Sequence, residues 1–148
     1  MKFWKLSLSL ATLLLFFSNV SCNAAQGDKF KLVNDVKELK DGDLIIIARY
    51  QDNTVMSTVL NNKKRKAKLI KINNGIAQAT DETEVIRLDA VNKSKADNSY
   101  YLYATSVNKY ICNGNTGSYN SRMEFLGKNE SKFSKYAATA KISISKDI

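Results

Sequence analysis

The side chains best placed to do chemistry in this chain are cations and amides. Lys63-Lys64-Arg65-Lys66 is an unbroken basic run, and Lys68 and Lys71 extend it across positions 63–71. Such a run suits phosphates or acidic sugars, with an affinity that falls steeply as salt rises. No aromatic ring is interleaved, so base stacking is not expected there. The plainer expectation for Asn61–Lys66 is a solvated loop between two strands. A second group, Asn115, Tyr119, Asn120 and Arg122, combines a flat ring with hydrogen-bonding groups. A pyranose offers an apolar face and a rim of hydroxyls, so this set fits a sugar, although a turn-rich loop uses the same residues. The Gln-x-Trp signature of ricin-type trefoil lectins is absent.

Catalysis finds less support. The chain has no histidine, which removes the commonest general base and the commonest metal ligand. Asp81, Glu82 and Glu84 are acids without a partner base, and a glycosidase needs two carboxylates facing each other across a cleft. No metal set and no cofactor is expected, and the reading is non-catalytic. Cys112 lies in the strand-like Tyr110-Ile111-Cys112 and reads as a small buried hydrophobe, not a nucleophile. Tyr100 and Tyr103 are assigned to one strand face and Tyr101 to the other, with core and barrel-rim packing as their use.

The elements that must position these residues are read as strands. Asp41–Tyr50, DGDLIIIARY, is a polar turn followed by four large aliphatics, the pattern of a strand buried on both faces. Strands are expected at Phe30–Val33, Thr54–Val59, Ala67–Ile72, Ile76–Ala79, Glu84–Ala90, Tyr100–Ala104, Tyr110–Cys112, Met123–Leu126 and Thr139–Ile144. Asn74-Gly75 marks a two-residue hairpin turn, because both central positions need positive φ. Asp35 and Glu38 have capping-box spacing around one helical turn. Phe133 and Tyr136 are expected to anchor the polar stretch Lys128–Ala138.

Residues 1–24 read as a secretory signal, with Lys2 and Lys5 before an apolar core from Leu6 to Phe17. Cleavage falls either at a lipoprotein junction, with Cys22 lipidated, or after Ala24. The apolar run is too short for a membrane helix of ~20 residues. Residues 25–148 then form one domain. Removing Lys2 and Lys5 lowers the formal charge of +9 to +7, a surface that favours anionic partners.

Sliding the chain by 56 residues (104 minus 48) brings Leu44–Ile47 onto Tyr100–Tyr103 and Val55 onto Ile111. Apolar phase persists from Leu44 to Leu88. This describes two repeats, about 41–96 and 97–148, of a closed or partly open all-β barrel, β-trefoil-like, with two of three repeats present. A third copy would start near Ile148. A truncated product is the favoured expectation. The others are pairing of the open edge with another copy, and a complete barrel of another type.

Three stretches carry a family resemblance: Lys31-Leu32-Val33 with Val36–Asp43 and Leu44–Ala48; Tyr100–Ala104 followed by Lys109-Tyr110-Ile111; and Ala140–Ile144. Together they resemble secreted β-domains of Gram-negative bacteria, which occur as lipoproteins or as modules attached to extracellular nucleases and other surface proteins. The resemblance covers most of Phe30–Ile148. It implies a non-catalytic accessory or binding module and carries over no catalytic residues. The expected location is exported: periplasmic, outer-membrane anchored or extracellular. The expected partners are a glycan, a surface protein or an anionic polymer, with membrane contact only through a lipid anchor. The alternative is a nucleic-acid-associated module using the basic loop 63–71.

Overall fold

The computed structural model describes residues 4–8, 11–18, 27–33, 35–61, 64–92, 98–113, 123–137 and 139–141. For 4–8, 11–18, 50, 64 and 139–141 the description is of backbone alone. The first eight strands are β1 (Trp4–Leu8), β2 (Ala11–Ser18), β3 (Lys29–Leu32), β4 (Leu44–Arg49), β5 (Thr54–Asn61), β6 (Lys64–Leu69), β7 (Lys71–Asn73) and β8 (Ile76–Gln78). The remainder are β9 (Ile86–Ala90), β10 (Ser99–Ala104), β11 (Lys109–Asn113), β12 (Met123–Leu126) and β13 (Thr139–Lys141). One short helix, α1, covers Phe133–Tyr136. The fold is all-β and its strand pairings are antiparallel.

The main pairing path runs β12-β11-β10-β9-β4-β2-β3-β8-β7. Its two end strands do not pair with each other among the described residues, so no closed barrel is formed. No described helix is long and apolar enough to cross a membrane.

β4 is central because both of its faces are apolar. Leu44, Ile46 and Ala48 pack with Phe30, Val55 and Ala77. Ile45 points the other way, to Val33, Ile86, Leu88 and Tyr100. Strand side chains alternate between faces, so one uninterrupted aliphatic run supplies two clusters. Ile45 and Ile46 are both 0% exposed, and each such burial contributes roughly 1.5–3 kcal/mol.

Polar contacts fix where β4 begins. Gly42 turns the chain at φ 92, a conformation that costs a side-chain-bearing residue. Asp43 Oδ2 accepts from Lys40 N at 2.6 Å, and Asp41 Oδ1 accepts from Ala90 N at 2.8 Å. The turn is thereby tied to β9. Before it, Asp35 caps the single turn Val36–Glu38 by accepting from Lys37 N, and buried Leu39 closes the end of the core.

β4 and β10 carry matching sets of partners. β4 pairs with β9 at Leu44 and Ile45 and with β5 at Ala48 and Arg49, while β2 lies along its other side. β10 pairs with β13 at Ser99–Tyr101 and with β11 at Tyr103 and Ala104, while β9 lies along its other side. The hairpin register Ala48↔Val55 matches Tyr103↔Tyr110 at an offset of 55 (103 minus 48). The two sets differ after β12, where the later segment has the helix α1 in place of a β7–β8 hairpin.

Two local expectations need correction. Asn61–Lys66 is not one loop: β5 runs to Asn61 and β6 starts at Lys64, because the two strands remain paired at Leu60↔Arg65 and Asn61↔Lys64. The tyrosine faces are also different. Tyr101 and Tyr103, two residues apart, share one face, as strand period requires. Tyr100 points into the opposite cluster, where its hydroxyl donates to Leu39 O at 3.0 Å.

Candidate functional site

The basic run is divided by the strand it belongs to. Lys63 lies outside the described residues, and Lys64 is described by backbone only. Arg65 turns inward, its side chain 3% exposed against a fully buried Glu84, with Nη2 2.5 Å from Oε2. Arg65 Nη1 donates to Thr58 O, and Nη2 also donates to Ser106 Oγ at 3.0 Å. Ser106 completes the network by donating Oγ to Glu84 Oε2 at 2.5 Å and N to Oε1 at 3.2 Å. The guanidinium lies 4.7 Å from the Phe125 ring centroid. This Arg65 is a buried bolt joining the β5–β6 hairpin to two loops, and it offers nothing to a ligand in solution. Lys66 is exposed. Lys68 is paired with Glu82 at 2.8 Å. Alternation along β6 thus withdraws Arg65 from the run and leaves Lys66 and Lys68 on the other face, where Lys68 is answered by Glu82.

Asn115, Tyr119, Asn120 and Arg122 lie outside the described residues, as does Cys22. Cys112 is a free, buried thiol, 1% exposed.

A second polar cluster covers the outer face of β9 and β10. Arg87 grips Asp89 with both Nε and Nη2, at 2.6 and 3.0 Å. Tyr110 Oη donates to the same carboxylate. Arg87 also lies 4.1 Å from the Tyr103 ring centroid. Lys128 Nζ sits 5.0 Å from Tyr110 and 5.6 Å from Tyr101. Burial alone would raise the Asp89 pKa, but the Arg87 and Tyr110 hydrogen bonds and nearby positive charge hold it below the usual carboxylate value. Burial, and then the hydrogen bond to Asp89, push Tyr110 up to about 12. The cluster is self-satisfied. Cations already occupy the ring faces that a sugar would need, so its chemistry is structural.

The open polar surface lies on β3, β8 and β7. Register places Lys29 opposite Gln78, and Gln78 opposite Lys71. The next row by register is Lys31, Ile76 and Asn73, of which Lys31 is buried and Ile76 also packs against the core. Phe30, Ala77 and Ile72 point the other way into the core. The Asn74-Gly75 turn, at φ 46 and 68, holds the β7–β8 pair together. With strands about 4.8 Å apart, the backbones of Lys29 and Lys71 stand about 10 Å apart with an amide between them. Lys29, Lys71, Asn73, Asn74, Ile76 and Gln78 line a depression of about 320 Å³. Neither Lys29 nor Lys71 forms an ion pair among the described residues.

Of these residues, only Lys71 is marked by the basic run in the sequence. The alternation after Asn74-Gly75 was sufficient to pair β7 with β8. Nothing local announces that β3, far earlier in the chain, joins them. A second depression of about 320 Å³ is mainly apolar, lined by Leu60, Met123, Glu124, Phe125 and Leu126. Among the described residues no group of three or more His, Cys, Asp or Glu could hold a metal ion. No known protein family, curated protein or solved structure matches this chain, so its own residues and their geometry carry the functional reading.

Proposed function

We propose that this chain is an exported, non-catalytic binding module for an acidic glycan, held on the β3–β8–β7 face. The observation that carries this reading is the cross-strand row Lys29, Gln78, Lys71 over the 320 Å³ depression. Two ammonium groups without carboxylate partners among the described residues supply charge for sulfate or carboxylate groups. Gln78, Asn73 and Asn74 supply donors and acceptors for ring hydroxyls. A nucleic-acid ligand is less well served, because no aromatic ring among the described residues lines the depression and stacking supplies much of single-strand binding. The export reading rests on the character of residues 1–24 and on the resemblance to secreted β-domains. The location is the cell envelope or beyond.

Titration of the full chain with a sulfated polysaccharide at low salt tests the site. The pair Lys29→Gln and Lys71→Gln should weaken binding by about tenfold or more, the loss of one or two charge-assisted contacts. Lys66→Gln, away from the depression, should change it little. Equal affinity for a neutral polysaccharide, or an unchanged affinity in the double variant, discards the proposal.

A further inference from the structure

β2 occupies a strand slot between β3 and β4. It pairs with β4 through six residues, Leu13↔Arg49 to Ser18↔Leu44, and with β3 at Phe16↔Leu32 and Phe17↔Lys31. The slot is one the fold also fills elsewhere: β9 lies along β10 as β2 lies along β4. Yet Ala11–Ser18 falls inside the segment read as a leader. Removing it strips one whole side of the most apolar strand in the molecule. β4 cannot turn to its other neighbours for those hydrogen bonds, because β9 and β5 already share its opposite side. A buried backbone row without partners is costly, and an open row beside apolar surface is a template for an added strand.

The slot also carries a charge that its resident strand does not answer. Lys31 is only 4% exposed and has no ion pair among the described residues. Across the β2–β3 ladder it faces Phe17. Directly opposed side chains lie within contact distance, so a carboxylate at that register would neutralise Lys31.

We propose that the slot between β3 and β4 is a strand-acceptor groove. The chain's own Ala11–Ser18 fills it before processing. Afterwards it takes an extended apolar strand from a partner protein, antiparallel to β4, with a carboxylate opposite Lys31. This rests on the export reading above, and two measurements keep the two ideas apart.

The first uses the full chain with a protease site placed within residues 21–26, folded intact and then nicked. Fluorescent peptides copying Ala11–Ser18 are then offered, unchanged, with Phe17→Glu, and with Leu15→Pro. The nicked chain should exchange the unchanged peptide into the slot and take the Phe17→Glu peptide about tenfold more tightly. It should refuse the Leu15→Pro peptide, which lacks a backbone donor. Lys31→Met should erase the preference for the Glu peptide. Equal uptake by intact and nicked chains, uptake of the proline peptide, or no exchange by a chain of unchanged mass overturns the groove. A nicked chain that takes no peptide and doubles its mass replaces the partner with a second copy. The second measurement is the N-terminus of the protein recovered from the cell envelope. If Ala11–Ser18 is still present, the removal of the leader and the partner strand fall together, while the peptide result still reports on the groove.

Discussion

Arg65 and Glu84 meet with side chains 3% and 0% exposed, and removing either leaves the other as an unanswered charge away from water. Glu84→Ala should therefore lower stability by about 3–5 kcal/mol, read from urea unfolding, whereas Arg65→Met with Glu84→Leu should recover most of it. A single substitution costing less than about 1 kcal/mol would show that the pair is solvated. Tyr110 makes a different prediction. Its folded pKa is raised from 10.0 to about 12, so the protonated phenol is favoured by folding. That stability is fully present below pH 10 and is lost as pH rises from there through the folded value. Asp89 runs the opposite way: its pKa is lowered from 3.8, so its contribution holds above that value and is lost on further acidification. Alkaline unfolding followed by circular dichroism should move to higher pH relative to neutral stability, and flatten, in Tyr110→Phe. An unchanged alkaline limb would place the phenol in water. The first network joins Arg65, expected from the sequence as a ligand contact, to Glu84, expected as an acid without a partner base. Their meeting depends on contacts more than a dozen residues apart, which no local pattern encodes.

At the level of elements, the turns were the most legible feature. Asn74-Gly75 and Gly42 take the positive φ that their residue types suggest. Gly75 at φ 68 aligns β7 with β8, and through them sets Lys71 beside Gln78. Gly75→Ala should cost about 1–2 kcal/mol from the left-handed conformation alone. Because the register of the row depends on this turn, the same variant should also weaken binding of the sulfated polysaccharide. A variant that loses stability but binds with full affinity would move the ligand away from the hairpin. The strand limits were harder to read. β6 begins within the basic run, where Lys64 and Lys66 read as loop and only pairing with β5 makes them strand. The tyrosines follow the period of two: Tyr101 and Tyr103 lie with Tyr110 and Phe133, and Tyr100 lies with Leu88 and Ile45.

For the whole molecule, a formal charge of +9 attracts anions from every direction, and the proposed site adds Lys29 and Lys71, which form no ion pair among the described residues. The affinity for a sulfated polysaccharide should fall with salt, and Lys29→Gln with Lys71→Gln should reduce the log–log slope by about one to two. A slope unchanged in that variant, measured by the same titration across salt concentrations, would assign the attraction to diffuse charge. The open path from β12 to β7 sets the second global feature. The sheet is held together across its middle by β2, so the molecule's integrity and its capacity to take up a strand reside in the same place.

Composition, alternation and turn residues were sufficient to determine an all-β chain, the double-sided burial of Leu44–Ala48, the hairpin at Asn74-Gly75 and the buried cysteine. These are local consequences of side-chain size, polarity and permitted φ. Tertiary structure alone decided that Arg65 is sequestered by Glu84, that Lys29 and Lys71 flank one amide, and that Ala11–Ser18 lies between β3 and β4. Each of these depends on which strands become neighbours, and an antiparallel ladder accepts almost any apolar strand until packing of the whole core selects one.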